Sequence, residues 1–159
     1  MTELHQSFIA TDYKTHPIRA VQYAMVDLLR KNVSRVHNRV YCPGIKTDAQ
    51  FPRIVIGVAS PSEHRFIGEM WGTEKGRITI NNLEVVCWSK NPREADEIAD
   101  YVQNAILKNR YFVPVDSSKG YFIDSHFTGG SENTLDPALQ AFQRTVNIEV
   151  WWLSQGTPV

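Results

Sequence analysis

Apolar residues recur along this chain at two periods, and the switches between them mark out its elements. From Pro17 to Asn32 the period is helical. Ile18, Val21, Met25, Leu28 and Leu29 fall on one stripe, and Arg19, Gln22, Asp27 and Arg30 take other directions. Thr15 or His16 is placed to cap this helix, and Pro17 suits a first turn in which a missing N–H costs nothing. The basic end at Arg30-Lys31 suits the negative pole of the helix dipole. A short strand fits within NRVYCPGI, ended by Pro43-Gly44. FPRIVIGVAS then alternates, with Ile54, Ile56 and Val58 on one side and Val55 on the other. SPSEH reads as a turn and RFIGEMWG as the returning strand of a hairpin, whose tip holds Glu63, His64 and Arg65 in solvent.

In GRITINNLEVVCWS the parity changes. Ile78 and Ile80 are even, whereas Leu83, Val85 and Cys87 are odd. A strand with one buried face cannot change parity, so a bulge is expected at Asn81-Asn82, with a tight turn as the alternative. A second helix follows. Asn91 is its N-cap and Pro92 its first residue, with Glu94 placed to close a capping box. Ala95, Ile98, Ala99, Val102, Ala105 and Ile106 form its apolar face; Asp96, Glu97, Asp100 and Gln103 form the wet one. Burial of Ile98, Val102 and Ile106 contributes about 1.5–3 kcal/mol each.

Residues 108–143 are the least regular part. GYFIDSHFTGG reads as a strand, and a short helical turn is expected after Asp136-Pro137. In RTVNIEVWWLS the alternation is clearest: Val146, Ile148, Val150 and Trp152 share one side. Helices before and after a run of strands predict an α+β domain over 1–159. It has a mostly antiparallel or mixed sheet, two main helices packed on one face, and a polar arm at 1–14. The other sheet face also receives apolar groups: Val55, Val86, Trp88 and Trp151, beside Glu84, Asn147 and Glu149. Either the long segment 113–143 folds over that face or another subunit covers it.

Composition narrows the functional classes. Lys+Arg and Asp+Glu are 17 each, giving a formal net charge of zero, so the basic excess of a phosphate-gripping protein is absent. The local basic run Arg35, His37, Arg39, Lys46 and Arg53 has only Tyr41 and Phe51 as stacking surfaces, and reads better as a solvated loop region. Cys42 and Cys87 lie in no ligand or redox spacing; Cys87 reads as core and Cys42 as half-buried beside Tyr41. The first residues lack the apolar core of a signal peptide, and runs such as IVIGVA are too short to span a bilayer, so a soluble protein without membrane partners is expected.

The chain lacks the common phosphate-loop, dinucleotide, zinc-protease and nucleophile-elbow motifs. Asp124-Ser125-His126 is the one tempting cluster. On a strand, Asp124 and His126 share a face and Ser125 points away, so the three cannot form a triad together. The five histidines are scattered without ligand spacing, and neither a metal nor a cofactor is expected.

The order of parts carries a resemblance over roughly residues 16–153. The first helix is followed by RVYCPGI, FPRIVIGV, LEVVCWS, the helix NPREADEIADYVQNAIL and the final RTVNIEVWW. This layout resembles the tail terminator or tail completion proteins of long-tailed bacteriophages, which sit at the head–tail joint. The resemblance implies a non-enzymatic virion component, assembled in the host cytoplasm. It would form a homo-oligomeric ring, expected to be a hexamer, that ends the tail tube and meets a neck or head-completion protein. DNA would pass through without sequence-specific binding. Expected contact elements are the arm 1–14, the loop 59–66 and the segment 113–143. The candidate interface residues are Trp71, Trp88, Trp151, Glu63, His64, Arg65, Asp96, Glu97 and Asp100. Two rival readings stay open: a small enzyme with a site near Asp124 and His126, and an adaptor that binds a peptide along a free sheet edge.

Overall fold

The computed structural model describes residues 17–42, 50–58, 64–69, 76–114 and 120–155. Helix α1 (Pro17–Asn32) precedes a short 3-10 turn, Ser34–Val36, and helix α2 (Pro92–Lys108) divides a run of seven strands. These are β1 (Val40–Tyr41), β2 (Arg53–Val58), β3 (His64–Glu69), β4 (Gly76–Ser89), β5 (Gly120–Gly130), β6 (Thr134–Asp136) and β7 (Ala141–Gln155). They form one sheet of order β1-β2-β4-β7-β5, with β3 on β4 and β6 on β7. All ladders are antiparallel except β1 on β2, so the fold is α+β with a mixed sheet.

Two long strands organise the sheet. β4 and β7 span 14 and 15 residues and pair without interruption from Gly76 opposite Gln155 to Ser89 opposite Phe142. Each is long enough to hold two shorter strands end to end on its outer side. β2 meets Leu83 to Trp88 of β4 and β3 meets Arg77 to Asn81. On β7, β5 meets Val146 to Ser154 and β6 meets Ala141 to Gln143.

This arrangement corrects three expectations. β2 and β3 run in the same direction along one edge of β4 and do not pair with each other, so the hairpin is β3–β4. There is no bulge or turn at Asn81-Asn82. β4 keeps its odd residues inward from Thr79 to Ser89, because Thr79 and Asn81 are themselves buried, at 4% and 3% exposure. The register shifts lie instead on the outer strands, at Phe66/Gly68 of β3 and at Phe122/Asp124 and Phe127/Gly129 of β5. Finally, residues 120–136 do not fold over the second sheet face. They supply β5 and β6 in the sheet itself.

The turn expected after Asp136-Pro137 is present at residues 137–140. The Asp136 carboxylate accepts from Ala138 N at 2.9 Å and Leu139 N at 3.2 Å, and Gln140 takes a positive φ of 51°. Those contacts tighten the turn that joins β6 to β7.

Both helices pack on one sheet face and share one core. α1 brings Val21, Met25, Leu28 and Leu29, and α2 brings Ile98, Val102 and Ile106. The sheet brings Ile54, Ile56, Leu83, Val85, Cys87, Val146, Ile148, Val150 and Trp152. α1 is buried beyond its predicted stripe: Tyr23, Ala24 and Val26 are inside as well. Gln22, expected to point elsewhere, is 7% exposed and donates its Nε2 to Ile56 O at 3.2 Å. Cys42 is buried rather than half-buried. The expected caps Thr15 and His16, and the arm 1–14, lie outside the described residues.

The start of α2 is built largely as expected. Asn91 Oδ1 accepts from Arg93 N at 3.0 Å and Pro92 opens the helix. Glu94 departs from the box. It accepts from Ser89 Oγ at 2.7 Å, and the same Oγ accepts from Asn91 N at 3.1 Å. Ser89 therefore stands between Glu94 and the N-cap amide that the sequence pattern assigned to Glu94 directly. Its place at the end of a strand, 1% exposed, makes this relay possible.

Candidate interaction surface

The sheet face away from the helices is laid out by register. Across β4 and β7, Ile80 stands opposite Trp151, Asn82 opposite Glu149, Glu84 opposite Asn147, Val86 opposite Thr145 and Trp88 opposite Gln143. β2 adds Val55 beside Val86, and β5 adds Asp124 beside Trp151 and His126 beside Glu149. The face therefore has an apolar patch around Ile80 and Trp151, a polar belt across its middle, and a second apolar patch of Val55, Val86 and Trp88. All of these side chains are of intermediate exposure. The expected interface residues Trp88 and Trp151 do share this face, but at opposite ends of it. The Trp151 Nε1 is buried with no hydrogen-bond partner among the described residues.

The patch at Trp88 is partly used within the subunit. Arg53 is only 4% exposed, and its guanidinium carbon lies 4.4 Å from the Phe51 ring centroid and 5.8 Å from that of Trp88. Burial pulls its pKa below the usual arginine range. Lys90 Nζ lies 4.8 Å from the Phe51 centroid and donates to Leu139 O at 2.7 Å. Arg39 Nε donates to Pro52 O at 2.8 Å. Arg39 and Arg53, two of the five residues in the basic run, are thus engaged inside the fold.

The wet face of α2 is less free than its sequence implies. Asp96 Oδ1 accepts from Asn133 Nδ2 and from Arg144 Nη1, both at 3.2 Å. Arg35 Nη2 reaches Glu94 at 3.2 Å and Glu97 at 3.5 Å. Asp100 is exposed. The tertiary fold brings cations to a stripe that looks purely acidic along the chain. His64 and Arg65 begin β3, opposite Asn81 and Ile80. Glu63 and Trp71 lie outside the described residues.

Around Asp124 and His126 the alternation holds. Ser125 points to the opposite side and is fully buried, so the three side chains do not converge. Asp124 is bound by Arg110, whose Nε lies 2.9 Å from Oδ1, and this hydrogen bond holds the carboxyl below its usual range. His126 Nε2 lies 2.8 Å from Glu149 Oε2. Both polar groups are occupied by neighbours on a half-exposed surface. A cavity of about 590 Å³ lies elsewhere, lined by Asp27, Arg30, Lys31, Asn38, Phe112 and Val113. It contains no nucleophile paired with a base. Among the described residues no group of three His, Cys, Asp or Glu side chains is placed to hold a metal ion, and no helix is long and apolar enough to cross a membrane.

Among the described residues, the large apolar residues that are most exposed are different ones: Tyr101, Leu107, Tyr111, Val113, Phe127 and Leu135. Tryptophan content drew the sequence reading elsewhere. A finer signal was present at Leu107, which is apolar yet lies eleven residues after Asp96. That spacing returns it to the same helical stripe as Asp96 and Gln103.

No family model matches the sequence, and no curated protein matches it. Among solved structures, the chain is similar to one from "Virion of native gene transfer agent (GTA) particle". The two share 12% identity with a TM-score of 0.60, over 85% of this chain and 94% of the other. At that identity the likeness is one of fold.

Proposed function

We propose that this chain is a structural protein of a phage-like particle. In our reading it closes into a ring, expected to be hexameric, at the head–tail joint, where it ends the tail tube and joins it to the neck. The observation that carries the reading is the fold shared with a gene transfer agent virion chain over nearly the whole length of both. The surfaces support it. The second sheet face keeps two apolar patches, which suits contact with tail-tube and neck proteins. Arg39 and Arg53 are engaged inside the fold, and the net charge is zero, so DNA would pass such a ring without being gripped. Of the candidates among the described residues, we take Trp151, Trp88 and Asp100 for these contacts, since Asp96 and Glu97 already meet Arg144 and Arg35.

The test is imaging of the protein mixed with tail tubes from the same particle. Rings capping one tube end are expected, and Trp151→Glu should lose the cap while its melting temperature stays close to the parent's. Monomers that never associate with tubes would overturn the proposal.

A further inference from the structure

β5 is the outermost strand on its side of the sheet. One side is bonded to β7. Its other side is met, among the described residues, only at Phe122, where Phe112 forms a bridge with bonds of 2.8 and 3.3 Å. From Ile123 to Gly130 that outer side pairs with no strand among the described residues. Folded proteins commonly blunt such an edge with lysine, proline or a covering element. IDSHFTGG contains neither lysine nor proline, although two register shifts bend it. A Cβ placed on Gly129 would meet nothing within 4 Å.

Among the described residues, four of the six exposed large apolar residues flank this edge. Phe127 (40% exposed) is on β5 and Leu135 (51%) on β6. Tyr111 (76%) and Val113 (62%) bracket the bridging Phe112. An open ladder bordered by apolar side chains is a surface built to receive another strand.

We propose that the occupant is a second copy of this chain, whose β3 edge adds to β5 head to tail. This rests on the ring reading above. β3 is outermost on the other side of β4, and among the described residues its outer side meets no strand either. One subunit therefore offers two unlike edges, which a head-to-tail contact needs and a two-fold contact does not. The zero net charge lets copies approach without mutual repulsion. The open stretch of β5 is about 26 Å long at strand rise.

The experiment follows backbone hydrogen exchange in the full chain, before and after assembly alone or on tail tubes. It is paired with sedimentation of a Phe127→Asp/Leu135→Lys variant. Amides in 123–130 and in 64–69 should exchange at least tenfold more slowly on assembly. The variant should self-associate at least tenfold more weakly with an unchanged melting temperature, since both sites are exposed in the subunit. If rings form while these amides are unaffected, or the variant assembles like the parent, the edge assignment is wrong and the ring stands. If 123–130 becomes protected and 64–69 does not, the occupant is not β3, and the proposal fails. If the parent never assembles, alone or on tubes, the ring reading falls and this one with it.

Discussion

Asn81 donates its Nδ2 to Thr79 Oγ1 at 3.0 Å on the buried side of β4. Both side chains are almost wholly inside, so this strand keeps one face inward by burying two polar residues that bond to each other. The consequence is measurable. Thr79→Val removes an acceptor from a buried amide and should cost about 1 kcal/mol. Replacing both, as Thr79→Val with Asn81→Leu, should cost less than the sum of the two single changes, as expected for coupled neighbours. Urea denaturation of the four proteins closes the cycle; strict additivity would mean the bond adds nothing.

The relay at the start of α2 makes a second prediction. Asn91→Ala should cost about 1 kcal/mol, the usual value for a lost N-cap. Ser89→Ala should cost a similar amount although it lies before the cap, because its hydroxyl serves both Glu94 and the Asn91 amide. A Ser89→Ala protein with an unchanged denaturation midpoint would show that Glu94 closes the cap without it.

Cys87 sits fully buried between Val85 and Arg144, and burial pushes its thiol up to about 12. At neutral pH it stays protonated and out of reach. An alkylating reagent should leave both Cys87 and the buried Cys42 unmodified in the native protein and label both after denaturation, as mass spectrometry can count. Rapid labelling of Cys87 under native conditions would contradict its place in the core.

The Arg110–Asp124 pair predicts a pH dependence. Asp124 is held below its ordinary value of 3.8, chiefly by the hydrogen bond from Arg110. Its folded pKa therefore lies below the unfolded one, so the pair adds stability above about pH 3.8, and that stability is lost as pH falls through the folded value. The effect is small, since both side chains are more than a third exposed. Arg110→Ala should lower the melting temperature slightly at pH 7, and the gap to the parent should close toward pH 2. A gap that widens on acidification would reverse the sign of the argument.

Much of this fold was legible in one dimension because burial is periodic. The stripe of Ile98, Val102 and Ile106, the alternation of Val146, Ile148, Val150 and Trp152, and the cap at Asn91 all follow from local rules of helix and strand. Those same rules separated Ser125 from Asp124 and His126. They misread the β4 parity because apolar identity stands in for burial, and at Thr79 and Asn81 the buried residues are polar.

The sequence by itself determined the α+β class, the helix faces and the inner face of β7 and of the second half of β4, since each depends on neighbours within a few residues. Only the tertiary structure decided strand partnership. SPSEH looks like a hairpin turn, yet β2 and β3 line up on one side of β4, because a strand of 14 residues has room for both. It also decided which charges are free. Asp96 meets Arg144 and Glu97 meets Arg35 across gaps of 48 and 62 residues that no local pattern reports. And it decided which edges pair with no strand among the described residues, the outer sides of β3 and of β5 beyond Phe122, because an edge is defined only once the strands have found their partners.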